Sequence, residues 1–289
     1  MLLIKGSYMK RILIPVDFSK DSVNAVKYGI NMANKLKADV RLIHVKTGDN
    51  YAPEFAGNEV MLTINDQLEV WMTELLERVK DGYYVNGGNI DWKIREGNVV
   101  HEISNQAKYD DTSLIVVASH GISGFQDKFI GSNAYRLVAN SPCPVIVVRH
   151  GVKFDTNIEK IVVPVDFDKD SVQVIPVVAG LANVYKANIV LVGLQDNSFK
   201  HVLDRLKTEM DLVERYIKEH ADLKVEKIVV EGRSISKKLR VYAKEAGADL
   251  VAIRIHHSAN PLANMFRPFA NDMVNYSEMP VLIVPTFDI

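Results

Sequence analysis

The chain has 289 residues, 47% of them hydrophobic and 25% charged, with a formal net charge of −1. That length buries one large core or two ordinary ones, and the near-neutral charge argues against a general nucleic-acid or anionic-membrane footprint. The apolar stretches are strand-sized, well short of the roughly 20 residues that span a bilayer. The single cysteine excludes an internal disulfide and a cysteine-built zinc site, which fits a reducing, cytoplasmic setting.

No secretory leader is read at the N-terminus, and the folded part is expected from about Met9. Arg11 to Ile14 reads as a first strand with the exit Pro15-Val16-Asp17-Phe18-Ser19. A helix opens at Asp21-Ser22 and runs to about Lys37, with Val23, Val26, Ile30 and Ala33 on one face. Asp39 to Val45 is a second strand. After a loop over about 46–57, a long amphipathic helix runs from about Glu59 to Lys80, facing Leu68, Leu75, Leu76 and Val79 inward. A third strand (Ile90 to Arg95), a helix after Gly97-Asn98 ending near Lys108, a fourth strand (Leu114 to Ala118) and a fifth (Pro144 to Val148) complete a unit. Strands alternating with helices imply an open, doubly wound parallel sheet covered on both faces. Cys143, between Pro142 and Pro144, reads as a buried structural thiol.

Between the fourth strand and the next helix lies Ala118-Ser119-His120-Gly121, then Gly131-Ser132-Asn133. Strand, small-residue loop and helix N-terminus together form a place for an anion, because unpaired N–H groups and the positive end of the helix converge there. The alternative is a connection whose glycines serve turn geometry alone.

The series then repeats. Ile161 to Val172 repeats Ile12 to Val23, with Asp166 standing 149 residues after Asp17, and Pro280 to Val284 repeats Pro144 to Val148 at a spacing of 136. The second copy has therefore lost residues, mostly between its second and third strands. This is a duplicated domain: residues 1–150 with the glycine loop and residues 151–289 with a degenerate one. In the second copy Ala118, Gly121, Gly131 and Ser132 correspond to Arg254, His257, Arg267 and Pro268. Proline has no N–H to offer, so one phosphate cradle per chain is expected, in the first copy. Arg254, His256, His257 and Arg267 are read as solvated loop surface.

From Met9 to its end the chain resembles a tandem universal stress protein of the UspA type. The family's nucleotide loop, G-x-x-G-x(9)-G-[ST], is matched in spacing by Ala118, Gly121, Gly131 and Ser132, with alanine for the first glycine. Pro15-Val16-Asp17-Phe18-Ser19 and Leu42-Ile43-His44-Val45 are further family-like segments. The resemblance implies two open five-stranded sheets of Rossmann-like, adenine nucleotide alpha hydrolase type, arranged as a pseudo-dimer in which Val145 to Val148 meets Val281 to Val284. It implies an ATP site, possible with Mg2+, at Pro15, Asp17, Val45, Ala118, His120, Gly121, Gly131, Ser132 and Asn133, with the Val45 backbone on the adenine edge. Asp17 would meet ribose hydroxyls or order the first helix; Ser19 reads as that helix's cap. If the family glycine at 118 serves a left-handed backbone, alanine strains it; if it serves close approach, one methyl narrows the pocket.

The function implied is nucleotide-binding regulation of a stress response in the cytoplasm. No motif for strong chemistry is present: there is no G-x-x-x-x-G-K-[ST], G-x-S-x-G or H-E-x-x-H. Slow ATP hydrolysis or adenylyl transfer in the same pocket, and a ligand-free protein-interaction module, are the alternatives. A homodimer of the chain is left open.

Overall fold

The computed structural model describes residues 9–47, 58–85, 87–119, 132–153, 157–165, 169–195, 200–256 and 268–286. The first half runs β1 (Arg11–Pro15), α1 (Lys20–Leu36), β2 (Asp39–Lys46), α2 (Asn58–Gly82), β3 (Ile90–Glu96), α3 (Val99–Tyr109), β4 (Leu114–Ala118), α4 (Ser132–Asn140) and β5 (Val145–Val148). The second half repeats it: β6 (Lys160–Val165), a short 3-10 helix (Lys169–Val174), α5 (Ile175–Tyr185), β7 (Asn188–Gln195), α6 (Lys200–His220), β8 (Val225–Glu231), α7 (Ile235–Glu245), β9 (Leu250–His256), α8 (Pro268–Tyr276) and β10 (Val281–Thr286).

Among the described residues, all strands join one ten-stranded sheet in the order β3-β2-β1-β4-β5-β10-β9-β6-β7-β8. Each half is parallel throughout; the halves meet at the antiparallel pair β5–β10, with Ile146 opposite Leu282. The strand sequences carry β-branched residues on both faces because helices cover both. Alternation then sorts them: Ile12, Ile14 and Leu42 pack under α1 and α2, whereas Leu13, Ile43 and Val117 pack under α3 and α4. The linker is tied down locally, the Asn24 amide donating to the Val152 carbonyl at 3.1 Å and His150 lying 2.7 Å from Asp21.

The two halves differ for identifiable reasons. Ser19 caps α1, accepting from the Ser22 N–H at 3.1 Å. In the second half Pro176 sits at the start of α5, and a proline lacks the N–H an upstream α-turn would need, so the preceding stretch winds as a 3-10 helix. The shortening falls where the spacing placed it, since β2 to β3 spans more residues than β7 to β8. Arg254 and His256 are not loop residues: β9 continues to His256, paired with Thr286 of the longer β10, which corrects the solvated-loop reading for these two. His257 and Arg267 lie outside the described residues.

Candidate functional site

In the first half β1 lies between β2 and β4, and the chain winds outward from β1 in both directions. The carboxyl ends of β1, β2 and β4 therefore border the point where the winding reverses, the usual ligand crevice of an open α/β sheet.

Pro15 ends β1 opposite Ile43. The β1–β2 ladder closes one residue later, where the Val16 N–H donates to the Ile43 carbonyl at 2.8 Å. Residues two apart on a strand direct their peptide groups to the same side. Val45 thus presents its N–H and carbonyl toward the β1 side, beyond the end of the paired stretch, with its side chain buried. Asp17 follows in the exit of β1. Its Oδ1 accepts the Ser19 N–H at 3.0 Å, and its own N–H lies 3.4 Å from Ser22 Oγ. The carboxylate thereby orders the turn into α1, while Ser19 acts as the cap, as the sequence suggested. Phe18, between them, is held at φ 65°. Its ring meets His44 (5.0 Å between centroids) and, edge on, the half-exposed Trp71 of α2 (5.5 Å).

His44 is buried, with Nδ1 2.7 Å from the Val16 carbonyl. Burial pushes its pKa below the ordinary value of 6.5, opposed by the Val16 carbonyl and the Asp17 charge. The neutral ring donates Nδ1–H to that carbonyl, which fixes the β1 exit against β2 beside the crevice. Sequence reading took His44 only as part of a family-like segment. Its place between the apolar Ile43 and Val45, two residues before the strand ends, was the available signal.

Ala118 ends β4 opposite Val148, and the buried Ser119 donates its N–H to the Val148 carbonyl at 2.9 Å. Ala118 is not among the described non-glycine residues with positive φ. The strain alternative at this position therefore falls, and a close-approach effect of one methyl remains. Ser132 and Asn133 open α4, Asn133 being exposed. His120, Gly121 and Gly131 lie outside the described residues. The structure thus brings Pro15, Asp17, Val45 and Ala118 to one end of adjacent strands.

The second half keeps Pro164 on β6 and Leu194 on β7, but puts Arg254 on β9 where β4 has Ala118. Helix α8 starts with Pro268, where α4 starts with Ser132. Among the described residues, no three His, Cys, Asp or Glu side chains gather as a metal site, and no helix is long and apolar enough to cross a membrane.

The Universal stress protein family is matched twice, over residues 9–149 and 157–285. Universal stress protein YxiE of Bacillus subtilis is 30% identical over 149 residues, covering 48% of this chain and 98% of that protein. Universal stress protein MJ0531 of Methanocaldococcus jannaschii is 33% identical over 140 residues, 48% of this chain and 82% of that protein. The crystal structure of a universal stress protein from Archaeoglobus fulgidus superposes with a TM-score of 0.76 at 16% identity, covering 97% of this chain and 98% of that one. At that identity the likeness concerns the fold, and it extends over both halves.

Proposed function

This chain belongs to the universal stress protein family, and we propose that its first-half crevice holds one adenine nucleotide, ATP with or without Mg2+, as the signal of a cytoplasmic stress-response regulator. In this reading residues 1–150 form the nucleotide-holding domain and residues 151–289 its structural partner. The observation that carries it is the asymmetry of the two helix starts: Ser132 against Pro268, preceded by Ala118 against Arg254. The same scaffold is built twice, yet only the first copy keeps small residues, a complete set of N–H donors and a hydroxyl type at the anion-attracting helix end.

The residues fit the ligand by chemistry. The Val45 peptide groups offer one donor and one acceptor side by side, as a base edge requires. The Asp17 carboxylate accepts from ribose hydroxyls while still ordering the turn. His120, Gly121, Gly131, Ser132 and Asn133 supply the phosphate end. The nucleotide acts by binding, its differential contact with the loop shifting the loop's population.

Calorimetric titration with ATP and magnesium tests this on the wild type, Gly131→Arg and Ala118→Gly. The expected result is one site per chain, lost affinity in the arginine variant, and equal or tighter binding in the glycine variant. Equal affinity in all three places the ligand elsewhere. Intact ATP recovered after a single turnover's worth of incubation separates binding from slow hydrolysis.

A further inference from the structure

The strand order β2-β1-β4-β5 gives the first-half crevice a direction. Val45 near the end of β2, Asp17 at the exit of β1 and Ala118 at the end of β4 follow one another across it. A nucleotide held by the Val45 backbone and the Asp17 carboxylate therefore carries its phosphates over β4 toward β5. Neighbouring strands lie about 4.8 Å apart, so β2 to β5 covers about 14 Å. That matches the reach of an extended nucleoside triphosphate and exceeds that of a monophosphate.

Arg149 stands at that point. It follows Val148, the last residue of β5, which lies opposite Ala118. The Ser119 N–H donates to the Val148 carbonyl, so the contact between the two strands runs up to Arg149. Alternation sets its side. Val145 and Val147 pack in the core under α3 and α4, and Ile146 and Val148 in the opposite one. Arg149 thus leaves β5 on the face that α4 covers, half-buried. Its Nη1 donates to the Ser277 carbonyl of the second half at 3.4 Å. That neutral acceptor sits in a fixed turn: the Ser277 N–H donates to the Met273 carbonyl at 3.0 Å, and its Oγ to the Met279 carbonyl at 3.0 Å.

A cation beside the end of α8 also suits that helix's dipole. The duplication separates the two roles. The same turn is built at the end of α4, where Ser141 Oγ donates to the Cys143 carbonyl at 2.7 Å. Extending the β5–β10 register puts Arg149 opposite Met279 and its counterpart, Pro285, opposite Cys143. One turn faces an arginine and the other a proline, so the turn does not require a guanidinium. The arginine belongs to the half with the small Ala118, and the proline to the half where Arg254 takes that position.

Resting on the nucleotide reading of this crevice, we propose that Arg149 takes the terminal phosphates of the bound nucleotide, so that the crevice selects ATP over AMP and adenosine. The guanidinium is permanently charged and pairs with phosphate oxygens in bidentate fashion. The Ser277 carbonyl steadies it from across the seam, which gives the second half a share in the phosphate end.

Calorimetric titration of the full chain with ATP, AMP and adenosine tests this on the wild type, Arg149→Gln and Arg149→Lys. The wild type is expected to bind ATP about tenfold or more tightly than AMP or adenosine. Arg149→Gln should weaken ATP by about tenfold and leave adenosine unchanged; Arg149→Lys, which keeps the charge and loses the fork, should fall between. Urea midpoints of the same variants read the effect on α8. Wild-type ATP binding that Arg149→Gln leaves unchanged, or an equal loss for ATP and adenosine, overturns the proposal while the nucleotide site stands. So does a lowered urea midpoint with an unchanged ATP-to-adenosine ratio, which makes Arg149 a helix-end cation only. Should Arg149→Gln not fold, the ratio in Arg149→Lys decides: a reduced ratio supports the assignment and an unchanged one overturns it. No binding of any of the three to the wild type overturns the nucleotide reading and this assignment with it.

Discussion

Ser132 and Pro268 occupy the same place in the two halves, each being the first residue of the helix that follows its half's fourth strand. Proline suits a first helical position, so Ser132→Pro is expected to leave α4 and the fold intact while removing one N–H and one hydroxyl from the crevice. ATP affinity should fall at least tenfold, about 1.4 kcal/mol, with an unchanged urea midpoint. Unaltered affinity at unaltered stability would mean that this helix end does not touch the ligand.

Trp71 lies edge on against Phe18, which directly follows Asp17. A ligand contacting Asp17 therefore perturbs an indole that is already half exposed. Nucleotide addition should change tryptophan emission in Trp92→Phe, which retains Trp71, and not in Trp71→Phe. The reverse pattern would place the ligand nearer the β3 edge.

The fold was legible because both of its periodicities are strong. Leu114 to Ala118 is uninterrupted by charge, and Leu68, Leu75 and Val79 keep helical spacing, so these elements were read within a residue or two. Duplication made a second reading available at each strand. The hydrogen-bonded series Arg41–Asp110–Gln106–Arg95 was illegible, because only Gln106 and Asp110, four residues apart at the end of α3, are local to each other, while Arg41 on β2 and Arg95 on β3 join them through the fold. The extension of β9 to His256 was also hidden, since it depends on pairing with β10 rather than on local propensity. Ser19 as a cap could be read locally because a cap is satisfied within three residues.

Ile146 and Leu282 face each other across the antiparallel seam, both fully buried. Either residue changed to alanine should cost about 2–4 kcal/mol in urea unfolding. Because the two are neighbours across the seam, the double variant should depart from the sum by 0.5 kcal/mol or more, roughly the scale at which touching residues couple. Simple additivity would indicate that the halves unfold without sensing this pair.

Two helical glycines should respond with opposite signs. A Cβ on Gly29 would lie 2.5 Å from Ile14 Cδ1 and 3.2 Å from its Cγ1, on the buried face of α1. A Cβ on Gly180 meets nothing within 4 Å. Alanine gains about 1 kcal/mol of helix propensity at both places. At Gly29 the displaced isoleucine more than offsets this, so Gly29→Ala is expected to destabilise by about 1 kcal/mol or more, whereas Gly180→Ala stabilises by about 0.5–1 kcal/mol. Urea midpoints of the two variants check the signs.

His44 sets a pH dependence whose sign follows from its burial. Its folded pKa lies below the ordinary 6.5, so at pH below that value the unfolded chain binds a proton that the folded chain resists. Stability is then fully present above about pH 6.5 and is lost as pH falls toward the folded value, at no more than about 1.4 kcal/mol per pH unit for one group. The charges facing the ring come from Asp17 on the β1 exit, which favours the proton, and from Lys46 on its own strand, which disfavours it. Replacing His44 removes the hydrogen bond to Val16, so His44→Asn, which can still donate, is the more informative variant. Urea unfolding at pH 7.5 and 5.5 should show a wild-type loss that is smaller in His44→Asn. A variant with the full wild-type loss would assign the proton uptake to another group, and a larger loss in the variant would reverse the sign argued for the ring.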